Sequence, residues 1–258
     1  MRLYLRFLAI QLKSQMQYKA SFFIALFGQF LVSFTLVLAL YFMFDRFNSV
    51  QGFSFEEVLI CFATMLMSFS LAETFARGFD TFPSMLGNGE FDRALVRPLP
   101  VIYQVLAMKV DYTRLARLLQ AVCVFAYAIP NCGVLWSVDK ILTLFLMVTC
   151  GFFVFFGLFV VYAAFSFFTI EGLEFMNIFT DGAREFGRYP FSIHGRNILA
   201  FVTFVIPLAL VQYYPLLYLL GREQSVLYMF LPIVSLLFLI PCFAFFRLGL
   251  RHYKSTGS

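Results

Sequence analysis

Few residues in this chain carry reactive side chains. Histidine occurs at His194 and His252, and cysteine at Cys61, Cys123, Cys132, Cys150 and Cys242. Metal binding and nucleophilic catalysis need such groups in convergent sets at defined spacing. No CxxC or Cys/His pair occurs, so neither a zinc site nor a disulfide framework is supported. Cys61, Cys123, Cys150 and Cys242 fall within apolar runs, where cysteine serves as a small apolar residue. The motifs HExxH and GxSxG are absent. So is the Gly-Lys pair of a phosphate-cradling loop, so if ATP drives this protein another chain binds it. Both histidines lie outside the apolar runs, with no carboxylate or thiol partner at ligand spacing. They read as interfacial or solvated, and a membrane-embedded protease or hydrolase is poorly supported.

What remains is charge at telling intervals. Glu73 and Arg77 are four residues apart, and Asp111, Arg114 and Arg117 follow at three-residue steps. On a helix such pairs meet. They read as interfacial ion pairs, with a gate or an entrance for a charged substrate as the second reading. No acid falls in the middle of an apolar run, as a proton-coupled transporter would require.

The densest mixed segment is GEFDRALVRPLP, Gly89 to Pro100. Gly89 can open a helix, Glu90 and Asp92 suit its positive first turn, and Arg93 and Arg97 lie toward the other end. Phe91 and Leu95 are i,i+4 and share a face. Pro98 ends the helix and Pro100 keeps the exit extended. An isolated helix of about two turns is marginal in water. It needs a surface to pack on: its own membrane helices, lipid, or a groove on a separate cytosolic protein.

The elements that must position these residues follow from composition. The 258 residues are 62% hydrophobic and 13% charged, against about a quarter charged in a soluble domain. A span needs about 20 mostly apolar residues in helix. Six runs qualify, approximately 21–44, 55–77, 110–130, 140–168, 198–219 and 226–247. The expected fold is an all-α polytopic membrane protein of six transmembrane helices. Of the 19 Lys and Arg, Arg46, Lys140 and Arg222 fall on one side and the rest on the other. The positive-inside rule then puts both termini in the cytoplasm. The basic residues cap apolar runs rather than forming a patch, so nucleic acid is not expected. The first span reads as its own uncleaved signal.

Residues 1–20 form a separate amphipathic element. Arg2, Arg6, Lys13 and Gln17 share one side of a helical wheel, and Leu5, Leu8, Leu12 and Met16 another. That pattern suits an interfacial helix among lipid phosphates. The connections 78–109 and 169–197 are the long cytoplasmic loops. The second carries Glu174, Asp181 and Glu185 with Arg184, Arg188 and Arg196, and is interrupted at Tyr189-Pro190. It reads as a solvated loop or a second cytosolic contact. Pro207 and Pro215 interrupt the fifth run, Pro232 and Pro241 the sixth. A re-entrant turn before Gly221 would fit them.

These residues resemble a known family, the ABC-2-type transporter permeases, within its six-span, uncharacterised branch. The likeness rests on GEFDRALVRPLP ahead of a span, RYPFSI at Arg188–Ile193, TFVIPLALVQYYPLLYLLG at Thr203–Gly221, and the tail GLRHYKSTGS. It covers essentially the whole chain in order, as a single permease domain, 1–258. It implies a non-catalytic permease subunit of an exporter in the bacterial inner membrane. This chain would hold no cofactor; a partner ABC ATPase dimer would bind ATP and magnesium. A second six-span permease would complete the pathway, as a heterodimer or a homodimer. Residues 1–20 would be the elbow helix. Gly89, Glu90, Phe91, Asp92, Arg93, Leu95, Arg97 and Pro98 would form the coupling helix. Phe91 and Leu95 would be buried in the ATPase groove, with the charges fixing register. Glu174, Arg184, Arg188, Tyr189 and Pro190 would give a second cytosolic contact. A scaffold or sensor without transport is the competing reading, ahead of a membrane enzyme. A hydrophobic or amphipathic cargo suits the Phe-rich chain.

Overall fold

The computed structural model describes residues 2–169 and 173–253. The Glu174 side chain and the tail beyond Tyr253, including Lys254, lie outside the described residues. Among the described residues the protein is helical throughout, with no β-strand. Fifteen α-helices follow one another, beginning with α1 (Arg2–Gln15) and α2 (Lys19–Phe47). A 3-10 turn at Met16–Tyr18 separates these two, and Tyr18 leaves helical backbone at φ −108°, ψ 76°. Across this turn Arg6–Phe47 make one helical stretch of 42 residues, long and apolar enough in part to cross a membrane. The expected interfacial helix is present as a helix. It joins α2 through the Met16–Tyr18 turn.

The chain then enters α3 (Phe55–Phe75). Its start is fixed by a capping box: the Glu57 amide donates to Ser54 Oγ, and the Ser54 amide to Glu57 Oε2. Two short helices, α4 (Arg77–Asp80) and α5 (Phe82–Gly87), lead to α6 (Glu90–Leu95) and α7 (Val101–Met108). After the turn Tyr112–Arg114 come α8 (Leu115–Asn131) and the long α9 (Val138–Phe165). The second half holds α10 (Asn177–Phe186), α11 (Arg196–Phe204), α12 (Leu208–Val211) and α13 (Tyr213–Leu219). It closes with α14 (Leu227–Ser235) and α15 (Leu239–His252), joined by a 3-10 turn at Leu236–Phe238.

Four stretches are long and apolar enough to cross a membrane: Arg6–Phe47, Phe55–Phe75, Val138–Phe165 and Leu227–His252. The fifth predicted run is broken. The segments Arg196–Phe204 and Leu208–Leu219 meet at 85° and count as a fifth crossing if taken as one span. Pro207 sits at the bend, having no amide to continue the helix. A bend there, ahead of Gly221, fits either a broken span or the re-entrant turn that the prolines suggest. The run expected at 110–130 yields a helix of 17 residues, about 25 Å, short of the roughly 30 Å hydrocarbon core. Val110 and Asp111 are not helical, and Tyr112–Arg114 is a 3-10 turn.

Burial separates centre from edge. The apolar window of α3 is 83% buried, that of the first stretch 11%. Accordingly α3 packs between α8 and α9, and α9 also carries α14 and α15. The first stretch leans mainly on α8 and shows Phe23, Ile24, Phe27 and Phe42 outward.

One glycine sets how tightly the loop after α3 folds. A Cβ on Gly78 would lie 1.9 Å from the Val105 carbonyl oxygen, a backbone atom that cannot rotate away. This close approach seats α7 on α4. Gly78→Ala is expected to force the two apart, at a cost toward the upper end of the usual 1–3 kcal/mol overpacking range. Thermal unfolding of the purified protein in detergent would register it. An unchanged midpoint would mean that the 78–109 segment is not anchored there.

Candidate functional site

The segment between α3 and α8 is built as a bracket. Its far end is pinned where it began: the Asp111 amide donates to the Thr74 carbonyl at 3.2 Å. Helix α1 holds the same end. Gln11 Nε2 donates to the Met108 carbonyl at 2.6 Å, and Gln15 Nε2 to the Val110 carbonyl. The Tyr112 amide donates to Gln15 Oε1, and its phenol to the Leu8 carbonyl at 2.9 Å. The basic N-terminal helix is therefore tied to the residues leading into α8.

Within the bracket, Gly89 takes the left-handed conformation at φ 69° and starts α6, with Glu90 and Asp92 in the first turn. Ending the helix at Leu95 leaves Arg97, Pro98 and Leu99 in a turn. Gln104 fixes that turn from inside. Its buried Nε2 donates to the carbonyls of Ala94, at 2.9 Å, and Leu99, at 2.8 Å.

Phe91 and Leu95 do not share a fate. Phe91 is fully buried within the chain's own aromatic cluster. Its ring lies 5.1 Å from Phe82, 5.7 Å from Phe167 and 5.0 Å from Tyr253, all edge to face. The Tyr253 phenol donates to Asp92 Oδ1 at 3.0 Å. Phe91 is therefore an internal strut, and its role as an anchor in a partner's groove is corrected. A helix this short has one supported side, and Phe91 takes it. Leu95 is 42% exposed and Val96 84%. With Glu90, Arg93 and Arg97 they form an outward ridge that continues to Leu99 and Tyr103. Val96, Leu99 and Tyr103 were missed as ridge residues. The signal was available, since three large apolar residues beside Pro98 and Pro100 cannot all turn inward.

Beside the bracket, at the end of α3, lies a charge cluster. Glu73 is 5% exposed. Its carboxylate meets three guanidinium groups: Arg117 at 2.8 Å, Arg114 at 3.2 Å and Arg77 at 3.4 Å. Arg77 also pairs with Asp80 at 2.8 Å, and Arg114 with Asp111 at 3.2 Å. Burial pushes the Asp80 carboxyl up from its ordinary range, and Arg77 opposes that. The structure thus joins both predicted groups of charges into one network centred on Glu73. The link from Arg117 spans 44 residues, which spacing along a helix cannot reveal.

In the second connection the residues after α10 fold in against the bundle. A Cβ on Gly187 would lie 2.4 Å from the Met65 side chain, at the midpoint of α3. Gln212 Nε2 donates to the carbonyls of Gly187, at 3.2 Å, and Tyr189, at 2.8 Å. The Tyr189 phenol reaches Met43 Sδ near the far end of α2. Phe191 is fully buried, and Pro190 is buried beside it. Arg184 stacks over the Phe69 ring at 4.8 Å and pairs with Asp181 and Glu185. Arg188 pairs with Glu185. Arg184, Arg188 and Tyr189 are therefore half-buried and Pro190 is buried, folded against the bundle. The Gln212 amide satisfies two of the carbonyls that this turn buries.

Among the described residues no group of three or more His, Cys, Asp or Glu could hold a metal.

The model for the ABC-2 family of transporter proteins matches residues 30–257, nearly the full chain. The chain belongs to the ABC-2 family. No curated protein and no solved structure matches it. An ABC-2 protein with four to five crossings of suitable length is a multi-pass membrane protein, the permease component of an ABC transporter. Such permeases are generally non-catalytic transport subunits, and membership implies association with an ABC ATPase.

Proposed function

We infer that this ABC-2 permease is the membrane-spanning half of an ATP-driven exporter of hydrophobic or amphipathic cargo. The exposed ridge of α6 and the turn after it is its docking surface for the ATPase. What carries the reading is the family match over 30–257, together with a ridge held rigidly by Gln104 and Phe91 yet left uncovered at Leu95, Val96 and Arg97. ATP binding would close the nucleotide-binding subunits, the ridge would move with them, and the bracket would pass that motion to α1, α3 and α8. Energy enters as differential ATP affinity between two arrangements of the complex. ATP and magnesium stay with the partner.

In this reading there are six crossings, with α8 and its leading 3-10 turn as the third; the turn adds about 6 Å. Both termini are cytoplasmic in the bacterial inner membrane. A second permease, identical or not, covers the exposed apolar side of the first stretch. The basic face of α1 rests among lipid headgroups.

The test is co-purification with an ABC ATPase of the same host. A Val96→Asp, Arg97→Glu double substitution is expected to lower ATPase recovery at least tenfold while membrane insertion is unchanged. Parental recovery together with parental transport would remove the ridge from the coupling path.

A further inference from the structure

We propose that the cavity between α2, α3 and the inward segment 184–188 binds the anionic head of an amphiphile. Phosphate or carboxylate is the group recognised. The cavity measures about 120 Å³, large enough for such a group. Arg117, Arg184 and Arg188 line it, and the one acid on its wall is Glu185. Both Glu185 oxygens are already taken, one by Arg184 and the other by Arg188. Arg117 also pairs with Glu73 and Arg184 with Asp181, so the charges around the cavity balance, and what the three guanidinium groups add is N–H groups rather than net charge.

Two donors of the lining residues are unused, one in the 184–188 segment and one on α2. Arg184 Nε is buried without a partner, and so is the hydroxyl oxygen of Ser33, a residue 1% exposed. Buried donors of this kind cost free energy unless something accepts from them. A tetrahedral or planar oxyanion supplies acceptors for both. Guanidinium groups are suited to it, since each offers several N–H groups in a plane.

Apart from Ser33, the opposite wall is apolar: Val32 and Leu36 of α2, with Phe62, Met65 and Leu66 of α3. Met65 and Leu66 lie mid-span, so an apolar tail could run from the charged end toward the membrane centre. A charged end beside Glu73 and an apolar path inward match a molecule with both characters better than a bare ion. Arginines in a span interior mark functional sites by default. The inference deepens the exporter reading by naming a cargo class. Its transport meaning rests on that reading; the binding itself does not.

The experiment uses the full chain in neutral nanodiscs, without ATPase or nucleotide, so its failure is separate from failure of ATPase docking. The probes are dioleoylphosphatidylglycerol, dioleoylphosphatidylcholine and inorganic phosphate. The anionic lipid is expected to bind at least tenfold more tightly than the zwitterionic one. Arg188→Gln and Ser33→Ala should each weaken it, the first about tenfold, by loss of charged or neutral hydrogen bonds. Leu36→Trp should weaken it by blocking the apolar path, and reports even if Arg188→Gln fails to fold. If inorganic phosphate displaces the lipid and Leu36→Trp has no effect, the anion is recognised as a free species. If phosphate competes poorly and Leu36→Trp weakens binding, the ligand is the lipid. Equal binding of the two lipids, or anionic binding unchanged in all three variants, overturns the site.

Discussion

Glu73→Ala is expected to lose about 3–5 kcal/mol of unfolding free energy, because it strips the shared partner from three partly buried arginines. The penalty comes mostly from what is left behind. Arg114 keeps Asp111 and Arg77 keeps Asp80, but Arg117 has no other carboxylate in contact among the described residues. The double variant Glu73→Gln, Arg117→Gln should therefore recover much of the loss, since both charges leave together. Denaturant unfolding of the purified chain in detergent measures both. If the single change is silent, or the double is as damaging as the sum of its parts, the network does not hold the end of α3.

Phe91→Asp is expected to abolish folded protein. Truncating a buried Phe costs about 3–5 kcal/mol, and here a carboxylate would also be buried among rings. Phe82, Phe167 and Tyr253 offer it no guanidinium or amine. Leu95→Asp, on the exposed side of the same helix, should stay within about 0.5 kcal/mol of the parent. Detergent size-exclusion and protease resistance separate the two. Equal behaviour would place Phe91 at the surface. A practical point follows: loss of ATPase recovery in the Phe91 variant reports misfolding, so docking has to be probed at Val96 and Arg97.

Local signals along the chain were legible. The cap at Gly89, the stop near Pro98, the Glu73–Arg77 pair and the starts of α3 and α9 all follow from rules that act within a few residues. Contacts between distant segments were not legible. Helical spacing pairs Asp111 with Arg114, yet it cannot say that Arg117 crosses to Glu73. Polarity made the 169–197 connection look like a solvated loop or a second cytosolic contact, with no hint of which residues would turn inward. The turn at Gly187–Tyr189 meets the middle of α3, its carbonyls held by the buried Gln212. The i,i+4 rule put Phe91 and Leu95 on one face. It could not foresee that α6 ends at Leu95, where the side chain passes beyond the supporting cluster. The short α8 has a similar cause, since Val110 and Asp111 are spent on pairing with α1 and α3 rather than on helix.

Gln104 uses both protons of one amide group to hold carbonyls five residues apart, and neither acceptor belongs to a side chain. The shape of the turn is thereby written in main chain, independent of the letters displayed outside it. Leu95, Val96 and Arg97 can be exchanged while their frame stays put. A duplicated copy of this protein could acquire a new ATPase by rewriting a few exposed positions, and an engineer could graft another permease's ridge here as a cassette.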